Sequence, residues 1–427
     1  MTSTKLPDQG AVFWPVGTGD STTIVVRPGV VVQIDLRDQA QADEPDAVVA
    51  AVIDRLVETL PTKDDAPYLA ALALTHADLD HICGFGDLLD SGILIGELWV
   101  TPRTWREAAG DDDLSDEAQR VHEEAVRRVM ATKRAHEVGQ EPASGDRIRI
   151  IGHDEDGGQY GYEGLSSKYI TGPGHTITDL DGQDESKFFQ AFVHAPFKDD
   201  CAGERNETSL AMQVTLYGED DTAGRFLLLG DLSYVTINKV FDYSEGHDRP
   251  ETLDWDVLLA PHHCSRKVMY APDESGDEEL KQDIVDQLQA HAGSNAYVIA
   301  SSQPFRDADK GGDNPPHLLA REQYNKIAPN EVVCTGEHPT AEAPRPVVFG
   351  LTLGVGLELL DIPVDETADE AVEMARAGSS QSLLKSLAMT AAVAAGAAAG
   401  VAEARAAVKK VRGTDGKPAP GVGFGKA

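Results

Sequence analysis

A chain of 427 residues with 37 Lys and Arg against 72 Asp and Glu, a formal net charge of −35, is long enough to bury a full core and to form one large or two ordinary domains. A chain this acidic repels polyanions at long range, which excludes nucleic-acid binding through overall charge and leaves it to bound cations or a local basic patch. The four cysteines, Cys83, Cys201, Cys264 and Cys334, form no Cys-x-x-Cys pair, and the opening Met1-Thr2-Ser3-Thr4-Lys5 lacks the apolar core of a signal segment, so reduced thiols in the cytoplasm are expected.

Residues 11–16, 22–27 and 30–35 are short β-branched or apolar runs broken at Gly17-Thr18-Gly19 and Pro28-Gly29, which predicts antiparallel strands joined by turns. Residues 46–60 carry Val48, Val49, Val52, Ile53, Leu56 and Leu60 at helical spacing, 68–74 read as a strand, and 84–90 open a short helix. Between that strand and that helix stands His76-Ala77-Asp78-Leu79-Asp80-His81. Four metal-capable side chains at a strand-to-loop junction can converge on one point without burying an unpaired charge. Strand, helix, strand with ligands at the strand end is the pattern of a layered α/β fold, here a four-layer αββα sandwich.

Residues 115–137 predict a charged helix with a thin apolar stripe of Val121, Ala125, Val129 and Met130, and 157–174 are rich in Gly and Tyr. The whole stretch of about 101–193 reads as an inserted, lid-like segment leaning over the site. Farther on, an apolar run ends in Gly230-Asp231, Pro261-His262-His263-Cys264-Ser265 follows a second one, and the strand 297–300 precedes Pro315-Pro316-His317. Residues 1–360 are therefore expected to form one domain. Beyond it, 361–427 read as an acidic linker, an Ala-rich helix over 386–402 and a Gly/Pro-rich disordered end. The Ala-rich run is short for a bilayer span, so docking on a protein partner is preferred to membrane association.

Asp80, His81 and a late histidine suit one divalent ion, His76 and Asp78 suit another, and Asp231 is placed to bridge both. Three carboxylates against two divalent cations leave a formal charge of about +1, which attracts an anionic oxygen such as that of a phosphodiester while holding a bridging hydroxide. Carboxylate in place of imidazole hardens the ligand set, so Mn²⁺ or Mg²⁺ stands beside Zn²⁺. Of the adjacent pair, His263 is the favoured ligand and His262 its partner or a substrate contact. Arg266 and Lys267, with Ser265, are the nearest candidates for phosphate contacts. Asp20 and Asp35 either serve turn chemistry or hold a ligand histidine from below. Cys264 reads as a tolerated small residue.

The block His76-Ala77-Asp78-Leu79-Asp80-His81-Ile82-Cys83-Gly84 resembles the metal-binding motif of the metallo-β-lactamase fold hydrolases, with Asp78 where most families have a second His. It is more similar still to the hydrolase domain of the ComEC DNA-uptake proteins. Val16-Gly17-Thr18-Gly19-Asp20-Ser21, Asn206-Glu207-Thr208-Ser209-Leu210, the strand ending in Gly230-Asp231, and Pro261-His262-His263-Cys264-Ser265 follow in the order that family shows. The resemblance spans about residues 11–355 with a gap between Val100 and Val193. It implies the lactamase-type sandwich, two divalent metals and hydrolysis of nucleic acid or nucleotides. It also implies that Asn206 stands where a third metal-binding imidazole is usual, that Asp80 aims the nucleophile, and that His317, in a late His-Pro-like element, gives a proton to the leaving oxygen. Pro173-Gly174-His175-Thr176 imitates the Gly-His-Thr of many relatives but stands far upstream of Asp231. The alternative is hydrolysis of a small-molecule ester, lactone or amide on the same fold.

Overall fold

The computed structural model describes residues 5–38, 48–108, 114–152, 161–198, 205–273, 275–306 and 314–360. Cys201 and the expected linker, Ala-rich helix and tail of 361–427 lie outside the described residues. Two large sheets organise the chain. The first runs, edge to edge, Gly356–Leu359, Val347–Thr352, Gly10–Phe13, Thr22–Arg27, Val30–Ile34, Ala66–Ala73, Leu94–Val100, Arg147–Ile151 and Ile170–Thr171, with Thr62–Lys63 paired to the start of Ala66–Ala73. The second runs Val333–Cys334, Ala292–Ala300, Trp255–Leu259, Ala223–Leu228, Ala211–Tyr217, Phe189–Ala195 and Thr176–Ile177.

Strand side chains alternate between faces, and three apolar cores follow from that alternation. Val12, Trp14, Leu69, Leu98 and Ile148 leave one face of the first sheet to meet Val52 and Leu56 of the Val52–Thr59 helix and Val121 and Ala125 of the Asp116–Glu137 helix. Phe13, Ile24 and Ala71 leave its other face to meet Met212, Phe226, Val257 and Ile299 of the second sheet. Leu227, Leu258 and Val298 turn away from that interface onto Ile237 and Phe241 of the Tyr234–Gly246 helix and Leu288 of the Gln282–Ala290 helix. The result is an α/β sandwich in which helices cover both outer faces of two packed sheets.

Local signals explain the helices. Ser115 caps the Asp116–Glu137 helix by accepting from the Ala118 N–H at 3.2 Å, Asp116 and Glu117 face its positive end, and Arg134 and His136 sit in its last turn. The Val52–Thr59 helix begins at Ala51, which has no capping side chain, and borrows a cap from Asp38, whose Oδ2 accepts from the Ile53 N–H at 2.9 Å.

The described residues of the stretch from 101 to 193 are built largely into the sandwich rather than leaning over the site as a lid. The Asp116–Glu137 helix puts Val121, Ala125 and Val129 against the first sheet, leaving Met130 in solvent, and Arg147–Ile151 pairs in parallel with Leu94–Val100. Among its described residues, Glu107, Leu114, Ser115 and Ala118 come beside Asp78 and Asp80. Among the described residues no helix is long and apolar enough to cross a membrane.

Val30–Ile34, Ala66–Ala73, Leu94–Val100 and Arg147–Ile151 are mutually parallel in the first sheet, as are Ala223–Leu228, Trp255–Leu259 and Ala292–Ala300 in the second. Parallel strands gather the loops that follow their carboxyl ends on one rim, where layered α/β proteins place their ligands.

His194, fully buried on Phe189–Ala195, is wired as a neutral imidazole: its Nε2–H donates to the Thr252 carbonyl at 2.9 Å, and its Nδ1 faces the Ser244 hydroxyl at 3.4 Å. Burial pushes its pKa down to about 4, an effect the Thr252 contact only partly opposes. The unfolded chain then binds a proton that the folded one refuses, so stability falls as pH drops from about 6.5 toward 4. Unfolding by urea across that window should show the wild type losing up to about 3 kcal/mol more than His194→Gln. Parallel pH profiles for the two proteins would contradict this assignment.

Candidate metal centre

The site is assembled from the rim upward. Asp35 follows Val30–Ile34, Thr75 and His76 follow Ala66–Ala73, Asp231 follows Ala223–Leu228, and His262 and His263 follow Trp255–Leu259. Asp78 stands at the amino end of the single helical turn Leu79–Ile82, which turns Asp80 and His81 back toward His76. The His76 and His81 rings lie 4.1 Å apart between centroids, and those of His81 and His263 lie 5.1 Å apart.

Asp231 is the centre of this arrangement. Its Oδ1 is 3.2 Å from His81 Nε2 and 3.7 Å from His263 Nε2, while its Oδ2 is 3.8 Å from both His76 Nε2 and His262 Nε2. Two carboxylates flank it: Asp80 Oδ2 lies 3.2 Å from His263 Nε2, and Asp78 Oδ2 lies 3.8 Å from His76 Nε2. Both members of the late histidine pair therefore reach Asp231, one on each of its oxygens. Asp20, His81, Asp231 and His263, all buried, each offer a ligand atom within 4.8 Å of the others, and this set could hold a metal ion.

The outer nitrogens of His81 and His263 each face a carboxylate. His81 Nδ1 is 2.8 Å from Asp35 Oδ2, whose carboxylate also accepts from the Thr75 N–H and hydroxyl at 2.7 Å each. His263 Nδ1 lies 3.4 Å from Asp20 Oδ1, and the Asp20 N–H donates to the Asp80 carbonyl at 3.0 Å. Asp20 and Asp35 thus do more than shape turns, since each faces the back of a clustered imidazole. A carboxylate there sets the ring's tautomer and leaves Nε2 facing inward.

Backbone strain accompanies this precision. Asp35, His262, His263 and Cys264 have φ of 51°, 50°, 53° and 67°, a region that side-chain-bearing residues rarely occupy and that costs of order 1 kcal/mol or more each. The turn is held by the His262 N–H donating to the Gly230 carbonyl at 3.0 Å and by the His317 N–H donating to the Cys264 carbonyl at 3.1 Å. Gly230 is required there: a β-carbon would stand 2.7 Å from that of Ser209, whose hydroxyl accepts from the Asp231 N–H and faces His76 Nδ1.

Charge explains the titration of the cluster. Burial opposes the imidazolium forms of His81 and His263, but Asp231 with Asp35 outweighs it at His81 and Asp231 with Asp20 at His263, lifting His81 well above its ordinary range and His263 to about 10. Burial also opposes ionised Asp231 and Asp80, yet the imidazoliums hold Asp231 well below the usual carboxylate range, and a hydrogen bond from His263 does the same for Asp80. Burial lowers His76 and His262. His76 Nε2, His81 Nε2 and Asp231 Oδ1 are nonetheless buried without a hydrogen bond, and orphaned polar atoms aimed at one point are what a cation would satisfy.

Other expected residues fall elsewhere. His317 is fully buried, and its Nδ1 accepts from the Arg266 N–H at 3.2 Å, which buttresses the 262–266 turn. Ser265, also fully buried, accepts from the Lys267 N–H at 3.3 Å. Arg266 points to Glu278 at 3.5 Å, and neither it nor exposed Lys267 lines the cleft at the centre. Asn206 opens the short Asn206–Thr208 turn, and the structure gives its side chain no contact with the cluster; its neighbour Arg205 instead reaches Asp78 Oδ1 at 2.8 Å and Glu107 at 3.0 Å. Exposed His175 folds onto the carbonyls of Gly172 and Pro173. Burial pushes the Cys264 thiol up, and Cys83, Cys264 and Cys334 are free.

A scan of protein-family models and a comparison with curated proteins each return no match for the chain. Asp35→Asn should weaken divalent-metal binding about 10- to 100-fold while leaving the fold intact, because the lost charge releases the His81 tautomer. Competition against a chromogenic chelator measures it; unchanged affinity would mean that Asp35 does not orient a ligand.

Proposed function

We propose that the chain is a metal-dependent phosphodiesterase or nuclease of metallo-β-lactamase fold, similar to the hydrolase domain of the ComEC proteins. The observation that carries this reading is the set of buried, hydrogen-bond-less atoms of His76, His81 and Asp231 that face one another across a single carboxylate. On this reading His76, Asp78 and His262 with Asp231 would hold one divalent ion, and Asp80, His81 and His263 with Asp231 a second, with Zn²⁺, Mn²⁺ and Mg²⁺ all compatible with the mixed imidazole and carboxylate set. Bound divalent ions supply Lewis acidity and acidify water at neutral pH.

The protein's own groups supply the rest. Asp35 and Asp20 keep the Nε2 atoms of His81 and His263 directed inward, so the donors need no reorganisation when substrate arrives. Asp80 is the most exposed of the cluster carboxylates, with 35% of its side chain open, and it lines the cleft beside His262 and His263, so it both touches the centre and meets an incoming reactant. Its free carboxylate oxygen accepts a hydrogen of the attacking water and thereby aims a lone pair at phosphorus. The cleft is polar and includes Arg37 and Arg306, which favours an anionic diester over the small-molecule ester, lactone or amide.

Metal-stripped protein should hydrolyse bis-p-nitrophenyl phosphate only after Mn²⁺, Zn²⁺ or Mg²⁺ is restored. Asp80→Asn should keep most of its metal and its KM while kcat falls about 100-fold or more, the pattern of an interaction made mainly in the transition state. Turnover confined to carboxylic esters or lactones would select the alternative. A metal-replete Asp80→Asn protein with normal kcat would remove the aiming role.

A further inference from the structure

The strand Val30–Ile34 carries a single polar residue, Gln33, among four apolar ones. Val32 and Ile34 face the second sheet and Val31 faces the helices, so the alternation sends Gln33 into the helix-side core that also holds Trp14. Gln33 is fully buried there. A side-chain amide in such a layer is costly unless its polar atoms are bonded, and an apolar residue of equal size would fill the space without that demand.

Each polar atom of the amide is in fact engaged. Gln33 Oε1 accepts from the Thr23 hydroxyl at 2.6 Å, and Thr23 Oγ1 in turn accepts from the Trp14 indole N–H at 2.8 Å. That chain of donors turns the amide nitrogen the other way, where Nε2 donates to the Asp35 carbonyl at 2.7 Å and to the Ser21 hydroxyl at 3.0 Å. Both acceptors lead to the centre. Asp35, at a φ of 51°, presents its carboxylate to His81 Nδ1 at 2.8 Å, and its backbone is held on one side by the Ala73 carbonyl, at 2.8 Å from the Asp35 N–H, and on the other by Gln33. Ser21 directly follows Asp20, whose carboxylate stands behind His263 Nδ1. One planar amide thus spans the two pieces of backbone that carry these carboxylates, and its two N–H groups keep a fixed angle to each other.

Resting on the metal-dependent reading of the centre, we infer that Gln33 is its positioning residue: the amide sets where Asp35 and Asp20 stand, and through them directs the inward nitrogens of His81 and His263. It touches neither the clustered imidazoles nor the cleft, so it acts only through those two carboxylates.

The test uses the full chain and Zn²⁺, with a chromogenic chelator as competitor. Gln33→Met, which keeps the volume and removes the amide, should weaken Zn²⁺ binding about tenfold, and Ser21→Ala, which cuts only the arm toward Asp20, should weaken it less. Combining Gln33→Met with Asp35→Asn should cost less than the product of the two single losses, because both act on one carboxylate. A readout independent of metal is the proton on His81 Nδ1, which in the metal-stripped protein should resonate far downfield and be assignable by its loss in Asp35→Asn; Gln33→Met should shift or broaden it. Zn²⁺ affinity and a His81 resonance that both ignore Gln33, or losses that multiply in full in the double variant, overturn the positioning role and leave the metal reading standing. If Gln33→Met does not fold, Ser21→Ala with wild-type affinity overturns it as well. A wild type that binds no Zn²⁺, with a His81 resonance that still depends on Gln33, removes the metal reading and keeps the hold of Gln33 on Asp35.

Discussion

Everything at the rim of this sandwich answers to one buried carboxylate. Asp231, 3% exposed, meets four imidazoles at 3.2 to 3.8 Å, two on each oxygen. A buried ion is tolerated only if opposite charge and hydrogen bonds repay its desolvation. Here the repayment is divided: His81 and His263 take up protons, while His76 and His262 are driven toward the neutral form. The split is a direct product of where Asp35 and Asp20 stand, since each lies behind an imidazole of the first pair. Divalent ions in place of those protons would meet atoms already aimed at them, with little left to rearrange.

Such aim requires a backbone held away from its preferred conformations. Three successive residues at positive φ, His262 to Cys264, present two adjacent imidazoles to opposite oxygens of one carboxylate, which a relaxed helix or strand cannot do. The cost is met by the surroundings: the carbonyls of Gly230 and Cys264 are engaged, and buried His317 clamps the Arg266 N–H. Leu94–Val100 and its neighbours give the same service on the first sheet, where the Leu74 N–H donates to the Trp99 carbonyl just before the His76 block.

What could be read from the sequence was local. The His76 to His81 block and Asp231 announce themselves because ligands packed into one turn, or placed straight after an apolar run, need no knowledge of the fold. The short strands near the amino end and the 115–137 helix follow from periodicity in the same way, and the structure places them at Gly10–Phe13, Thr22–Arg27, Val30–Ile34 and Asp116–Glu137. Long-range pairing carried no such mark. Arg147–Ile151 alternates charge and apolar residues like an edge strand, and only its parallel partner Leu94–Val100 shows that the region belongs to the sheet. His317 was singled out by resemblance to a late His-Pro element, and the structure shows its Nδ1 holding the Arg266 N–H, a contact that no local pattern signals. Arg37 and Arg306 had no signal: single arginines gain meaning only when a turn such as Gly19 gives one of them a place to lie.

The two sheets contribute unequal but interleaved parts of the rim. His76, Asp80 and His81 follow a strand of the first, and Asp231, His262 and His263 follow strands of the second. Between the sheets lie the non-directional contact of Phe13, Phe226, Val257 and their neighbours and a few directional links, such as the Leu210 N–H donating to the Thr75 carbonyl at 2.9 Å. A cation held by this cluster would be a further rivet between two halves of the molecule, joining positions that a long stretch of chain separates. If it engaged the folded state alone, a concentration 1,000 times its dissociation constant would add roughly 4 kcal/mol to stability. Sliding of one sheet past the other, and the rate at which the sandwich opens, would then become functions of metal supply.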